Sequence, residues 1–192
     1  ASHPALCAQV HLPVQSGSTD VLARMLRGYT REQYLEKIGC IRRARRAISI
    51  STDIIVGFCG ETPGDFEQTM TLLDAVEYDQ VFSFKYSRRP NTAAAGLEDS
   101  IAEEVKGERL AALQELQRQI QLRRNQALAG REFEVLVEAY QPRLGQAVGR
   151  TSSNRVVNFP GNPGWIAQYM NVRATSAGPN SLGGERIDSA GK

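Results

Sequence analysis

Residues 51–61, STDIIVGFCGE, constrain the fold more than any other stretch. Ile54, Ile55 and Val56 run without a polar break into Gly57, and Gly60-Glu61-Thr62-Pro63 follows at once. That order predicts a buried strand, a glycine-opened loop and a helix with Pro63 at its first position. In α/β sheets, ligands sit where such strands end and such loops begin. Gly57 and Gly60 leave room for backbone to come close to a small molecule. They equally suit an ordinary ligand-free turn, and a glycine pair alone does not separate the two.

Upstream, residues 10–14 form a short apolar stretch broken by Pro13, followed by Gln15-Ser16-Gly17-Ser18. This predicts a strand ending in a polar loop, with Ser18 or Thr19 capping a helix to about residue 26. Gln15, Ser16 and Ser18 suit a ribose or a carboxylate, and equally suit the helix end. His11, on the strand, reads as a core histidine. A second helix opens at Thr30 with Gln33 completing the cap, and Tyr34, Leu35, Ile38 and Ile41 form its stripe. Arg42, Arg43, Arg45 and Arg46 crowd its end, which complements the helix dipole and could also touch RNA. A third helix over 63–76 is capped by Thr62 and Asp65, and a further strand over 80–86 leads to a basic loop with Lys85, Arg88 and Arg89. Strand, helix pair, strand, helix, strand argues for a parallel sheet, a portion of a barrel or an open sheet and not a closed one.

A linker over 91–99 precedes a long helix over 100–128, expected to open with Ser100 and Glu103. Its stripe is Ile101, Val105, Leu110, Leu113, Leu116 and Ile120, and Gly130 stops it. Beyond it, short β runs over 133–139, 146–149, 155–159, 169–176 and 182–187 alternate with glycine- and asparagine-rich turns. This predicts a small closed β-barrel of the oligonucleotide-binding sort. Arg150, Asn154, Arg155, Asn158, Phe159 and Asn180 offer guanidinium, amide and ring groups of the kind that single-stranded RNA recognition uses. The alternative is a barrel that serves only as a structural module. Residues 188–192 read as a disordered tail.

Charge sharpens the second half. The net charge of +2 is spread unevenly, because 139–184 holds four arginines (Arg143, Arg150, Arg155, Arg173) and no carboxylate. An acid-free surface of this kind would not repel phosphate. With 41% hydrophobic and 23% charged residues the composition is that of a globular protein. No run reaches the ~20 apolar residues of a membrane span. Cys7, Cys40 and Cys59 have no ligand spacing, so no metal or cluster site is expected from them. Their odd count fits a reducing cytoplasm, with Cys7 and Cys40 as buried small hydrophobes and Cys59, in the loop, read as structural with exposure as the alternative.

Six blocks occur together in register: HLPVQSGS (11–18), RGYTREQY (27–34), STDIIVGFCGE (51–61), FSFKYSRRPNTAAA (82–95), AEEVK (102–106) and NRVVNFPG (154–161). On these blocks the chain resembles the tRNA methylthiotransferase family of radical S-adenosylmethionine enzymes, nearly throughout. Two departures stand out. Cys59 replaces the family's usual proline, and Ser87-Arg88-Arg89-Pro90-Asn91-Thr92 replaces SPRPGT.

The resemblance implies an α/β partial TIM-type barrel, the second half of a radical S-adenosylmethionine barrel, over 1–98. A connecting helix over 99–130 and a TRAM RNA-binding domain, a small all-β barrel, over 131–187 would follow. It implies S-adenosylmethionine near Gln15, Ser16 and Ser18 (ribose or amino acid end) and along Ile55, Val56 and Gly57 (adenine), with Arg27 pairing a carboxylate or phosphate. It also implies two 4Fe–4S clusters, whose cysteines (an N-terminal set and a CxxxCxxC motif) are not in this sequence, so the chain alone is expected to be inactive. No residue here is assigned a catalytic or metal-binding role. The implied reaction is methylthiolation of N6-isopentenyladenosine beside a tRNA anticodon. Alternatives are a relative acting on threonylcarbamoyladenosine or a ribosomal protein, or an RNA-binding module only. Implied partners are the tRNA anticodon stem-loop and a flavodoxin- or ferredoxin-like electron donor, in a cytoplasmic monomer with no membrane association.

Overall fold

The computed structural model describes residues 6–44 and 46–187. Arg45 and the expected tail over 188–192 lie outside the described residues. The chain divides into two units, Val10–Ile120 and the segment from Gln121 onward together with the residues before Val10.

The first unit holds β1 (Gln9–His11), α1 (Thr19–Arg24), α2 (Arg31–Arg42), β2 (Ser49–Val56), α3 (Pro63–Val76) and β3 (Gln80–Lys85), with most of α4 (Glu103–Gln126). The strands form one sheet in the order β1-β2-β3. β2 and β3 run parallel in register from Ser51↔Gln80 to Val56↔Lys85, and a parallel bridge joins Gln15 to Ile54. The sheet is three-stranded and open, and no closed α/β barrel forms among the described residues.

Alternation along β2 explains where the core sits. Ile50, Ile54 and Val56 point to one face and pack with Tyr34 and Ile38 of α2, Leu72, Leu73 and Val76 of α3, and Leu113 and Ile120 of α4. Ser51, Asp53 and Ile55 therefore point to the other face. Helix starts follow the expected chemistry. Thr30 with Gln33 and Thr62 with Asp65 both form complete capping boxes, and Pro63 occupies the first turn of α3. α1 ends at Arg24, since Leu26 turns to φ +57°.

Three expectations are corrected. α4 begins at Glu103, so Ser100 is not its cap, and the Glu103 carboxylate reaches Lys85 (2.9 Å) and Lys106 (3.1 Å) instead. Val105 is exposed and Lys106 buried, which puts the buried stripe through 106, 113, 117 and 120. Cys7 and Cys40 are exposed and not buried hydrophobes, whereas Cys59 is buried, as a structural role requires. Cys59 packs with Val21, Phe58 and Tyr86, whereas Cys40 lies on the solvent side of α2.

The second unit is the expected barrel, closed in the order β4-β5-β6-β8-β7. Its strands are β4 (Glu132–Gln141), β5 (Gln146–Thr151), β6 (Val156–Pro160), β7 (Tyr169–Ala177) and β8 (Leu182–Arg186). All pairings are antiparallel except the parallel β6–β8 closure. Bulges between Val137 and Ala139 and between Ala174 and Ser176 bend β4 and β7 to close it. Inward residues from every strand, Val135, Ala147, Val157, Val172 and Leu182 among them, fill the interior.

Candidate functional site

The loop after β1 is a buried polar knot. Gln15 holds φ +70°, donates its N–H to Asp53 O (2.9 Å) and accepts from Ile55 N (2.9 Å). Ser16 Oγ lies 3.4 Å from Thr69 Oγ1 and accepts from Ser18 N (3.2 Å). Gly17 N donates to Thr69 Oγ1 (2.9 Å), and a Cβ on Gly17 would stand 2.4 Å from Gln68 O. Ser18 Oγ caps α1 at Val21 N and donates to Asp65 Oδ1 at 2.5 Å. Burial alone would raise the Asp65 pKa, but Ser18, Thr62 and Arg24 outweigh it and hold the carboxyl below its ordinary range. Ser16 and Ser18 thus spend their hydroxyls on the fold. Arg27, after α1, is exposed.

The loop after β2 is closed by its own carboxylate and by α4. Gly57 and Gly60 hold φ of +71° and +72°. Glu61 Oε2 accepts the Gly57 N–H (2.7 Å), and Arg109 Nη1 donates to Glu61 Oε2 (2.6 Å) and Glu61 O (3.1 Å). Burial raises the Glu61 pKa, against the Gly57 amide and Arg109. Lys106, 2% exposed, lies across the loop, with Nζ bonded to Asp99 (2.7 Å) and Glu103 (3.1 Å) and standing 5.6 Å from the Tyr86 ring centre. Burial alone would lower the Lys106 pKa, and the two carboxylates instead hold it above its ordinary value. A Cβ on Gly57 would lie 2.4 Å from Lys106 Cγ, so the space that glycine leaves is filled by a lysine stem. Sequence reasoning missed Glu61, Lys106 and Arg109. The available signal was a cation placed where the stripe of α4 asks for an apolar residue.

The sheet face away from the helices carries the second missed cluster. His11 is exposed and not a core residue, because it points to the open face. Its Nδ1 lies 3.0 Å from Ser51 Oγ and its Nε2 3.4 Å from Asp53 Oδ2. Its ring meets Phe82 edge-on at 5.9 Å. Phe82 and Phe84 are 43% and 55% exposed, beside Asp53 and Ile55 in the strand register. Ile55 shares this face, whereas Val56 points into the core.

On the barrel, Arg150 and Asn154 come together, with Nη1 3.1 Å from Asn154 Oδ1, and Asn154 adopts φ +62°. Arg155 turns instead to Asn125 at the end of α4, whose amide also bonds Gly178 O and Pro179 O. Asn158 faces outward, half-buried, and Asn180 is exposed in the turn between β7 and β8. Phe159 corrects the expectation of a stacking ring. It is fully buried in the barrel, parallel to Trp165 at 6.3 Å, because β6 alternates Val157 and Phe159 inward. The ring that is exposed is Tyr169, at 65%. Closure also brings acid to the arginines of the carboxylate-free stretch. Glu138 meets Arg150 (3.0 Å), and Glu132 (2.8 Å) and Glu185 (3.7 Å) meet Arg173.

Among the described residues no group of three or more His, Cys, Asp or Glu could hold a metal ion. The three cysteines, two exposed and one buried in an apolar cluster, do not fit an iron–sulfur cluster. No helix of the described residues is long and apolar enough to cross a membrane.

Comparison with known proteins agrees with this division. The Radical SAM superfamily model matches residues 3–73 and the TRAM domain model matches residues 126–187. The chain is 55% identical over 188 residues to the tRNA-2-methylthio-N(6)-dimethylallyladenosine synthase of Solibacter usitatus, covering 96% of this chain and 42% of that protein. Proteins of the same name from Geobacter metallireducens (50% over 185 residues; 96% and 42%) and Koribacter versatilis (50% over 191 residues; 97% and 43%) match similarly. The chain thus spans about two fifths of the length of these curated relatives.

Proposed function

We propose that this chain, which belongs to the tRNA methylthiotransferase family of radical S-adenosylmethionine proteins, is the part of such an enzyme that pairs later strands of the catalytic domain with its RNA-binding barrel. The proposed activity is addition of a methylthio group to C2 of N6-isopentenyladenosine next to the anticodon. What carries the reading is identity of 55% across 96% of the chain to a protein named for that reaction. An open parallel sheet and a closed five-strand barrel, in the order of the two family matches, support it.

S-adenosylmethionine and two 4Fe–4S clusters would supply the radical chemistry in the intact enzyme. Among the described residues there is no ligand set for the clusters. The residues of this chain bind and orient. Ile55 offers a side chain to a nucleoside on the open face, and the backbone at Gln15 and Gly57 ends the flanking strands. Ser16, Ser18 and Val56 hold those strand ends in place, and Arg27 is free to swing to an anion from its exposed position. Arg150, Asn154, Asn158 and Asn180 present the polar surface of the barrel to the tRNA. The intact protein is proposed to be a cytoplasmic monomer served by a flavodoxin- or ferredoxin-like donor.

The test is the full-length gene product containing this sequence, with clusters reconstituted and tRNA bearing isopentenyladenosine supplied. The nucleoside should gain a methylthio group, and an unchanged nucleoside mass sinks the proposal. A second reading, RNA attachment alone, rests on the closed barrel. Filter binding of an anticodon stem-loop to Arg150→Ala should show weaker binding and a salt slope shallower by about one, if that guanidinium meets a phosphate.

A further inference from the structure

The loop after β2 carries two glycines, at φ +71° and +72°, and only one of them is short of room. A Cβ on Gly60 would stand 3.7 Å from Arg24 Nε, an ordinary contact, so the backbone angle alone asks for glycine there. A Cβ on Gly57 would stand 2.4, 3.1 and 3.2 Å from Cγ, Cδ and Cβ of Lys106. The open side of Gly57 therefore does not fit a ligand, because a lysine stem already occupies it. We propose that Gly57 seats the stem of Lys106, and that Lys106 is a positioning residue for S-adenosylmethionine, acting through the loop and not by touching the ligand. This inference rests on the methylthiotransferase reading and names what sets the shape of that site.

Lys106 and Arg109 lie one turn apart on α4, on the same side of the helix, and between them they hold both ends of the loop. The Lys106 stem covers Gly57, while Arg109 Nη1 donates to the carboxylate (2.6 Å) and to the backbone oxygen (3.1 Å) of Glu61. Glu61 Oε2 also accepts the Gly57 N–H at 2.7 Å, which ties the two ends to each other. Arg24, from α1, adds a bond to Gly60 O at 3.2 Å. The Lys106 ammonium is taken up by Asp99 (2.7 Å) and Glu103 (3.1 Å), and its side chain is 2% exposed. These contacts are made inside this chain. Further protein or a ligand can add to them, but it finds the space beside Gly57 taken.

Position in the chain explains why this seat matters to a ligand. Gly57 follows the last residue of β2, two places after Ile55, and the Ile55 N–H bonds Gln15 O at 2.9 Å. A shift at Gly57 is thus passed to the ends of both strands. Ordinary contact begins at 3.4 Å, so a Cβ at 2.4 Å from Lys106 Cγ forces the loop or the lysine to move by about 1 Å. A displacement of that size at a binding group is worth up to about 10²-fold. The part of Lys106 that sets the loop is its methylene stem. An ammonium paired with two carboxylates and shut off from solvent has no access to a ligand carboxylate.

The experiment uses the full-length gene product containing this sequence, with clusters reconstituted and no reductant added. The Kd of S-adenosylmethionine is read by equilibrium dialysis, with the melting temperature alongside. Gly57→Ala should weaken binding at least about tenfold. Adding Lys106→Ala to it should recover most of that loss, because the obstruction leaves with the stem. Lys106→Ala alone should weaken binding several-fold. Lys106→Met, which keeps the stem and drops the charge, should bring Kd back to within about twofold of wild type. A double variant no tighter than Gly57→Ala would mean that the new Cβ strikes the ligand itself, and overturns the proposal. So does Lys106→Met binding as weakly as Lys106→Ala, which would make the ammonium a ligand contact. Lowered melting temperatures with every Kd unchanged overturn it too, since Lys106 would then only hold the fold. If Gly57→Ala does not fold, the two single Lys106 variants decide. Wild type that takes up no S-adenosylmethionine sinks the parent function instead, and every failure above starts from a wild type that binds, which keeps the two apart.

Discussion

Replacing Arg109 by Met should unlock the loop after β2 through charge, not volume. The substitution keeps an unbranched stem of helix-forming type but strands the Glu61 carboxylate, whose side chain is 1% exposed. What remains to Glu61 is the Gly57 amide at 2.7 Å. Removing one partner of a buried ion pair costs about 3–5 kcal/mol. The low end applies, since Glu61 can take up a proton to escape. At about 2–4 °C per kcal/mol for a chain of this size, the melting temperature at pH 7 should fall by about 6–12 °C. The pH dependence carries a definite sign. Burial already places the Glu61 pKa above its unfolded value, so the folded state holds its proton more tightly. Stability linked to Glu61 is then complete below the unfolded pKa and declines as pH rises through the folded one. Without Arg109 the folded pKa climbs further, so the deficit of the variant should be smaller at pH 5 than at pH 7. Glu61→Gln in the same chain removes the charge while keeping an acceptor for Gly57, and should restore most of the loss. Urea unfolding followed by circular dichroism, at both pH values and with an unchanged m-value, measures all three chains. A single variant within about 1 kcal/mol of the parent, or a double variant no better than the single, would refute the reasoning.

Three further outcomes follow from neighbouring geometry. Gly57→Ala, at φ +71° and with Lys106 Cγ 2.4 Å from the new Cβ, should cost about 1–3 kcal/mol, and less in a Lys106→Ala background, by the same urea assay. Asp65→Asn should lose about 1 kcal/mol of cap stability at neutral pH. Because the folded Asp65 pKa lies below the unfolded one, the parent's advantage is present above the unfolded value and should vanish as pH falls through the folded one. A thiol-reactive dye should modify Cys7 and Cys40 quickly and Cys59 only on unfolding, and fast reaction of all three would contradict the burial of Cys59.

The architecture was legible because its signals are local. Capping boxes at Thr30 and Thr62, the Ile54–Val56 run and the regular β spacing after Gly130 each name an element without reference to its neighbours. What escaped depends on pairing. His11 reads as core because its strand is apolar, yet a strand has two faces, and only the register with Ser51 and Asp53 shows which one His11 takes. Alternation could have spared Phe159, since Val157 and Phe159 share a phase that a buried strand must point inward. In α4 the apolar residues fit two frames, and the choice passed over Lys106 because a cation rarely occupies a stripe position. It is allowed there because Asp99 and Glu103 pair with its buried ammonium while the methylenes cross Gly57.

The charge of the barrel shows the same distinction at its clearest. A stretch of forty-six residues without a carboxylate, 139–184, invites the inference of an acid-free surface. A closed barrel does not preserve that segregation, because antiparallel pairing sets each strand against residues far away in sequence. β4 and β8 flank the stretch, and they place Glu138 against Arg150 and Glu132 and Glu185 against Arg173. Two of the four arginines are thereby partly neutralised by glutamates just outside the stretch. Arg155 is tied to Asn125. The RNA binding proposed for this barrel would then exchange one set of ion pairs for another, at Arg150 above all. Exposed pairs of this kind hold by only about 0–1 kcal/mol, so an RNA phosphate can displace Glu138 at little cost. Glu138→Gln should accordingly tighten stem-loop binding without touching the fold, with a gain that shrinks as salt rises. If the substitution left affinity unchanged at low salt, the proposed role of Arg150 in RNA binding would be refuted.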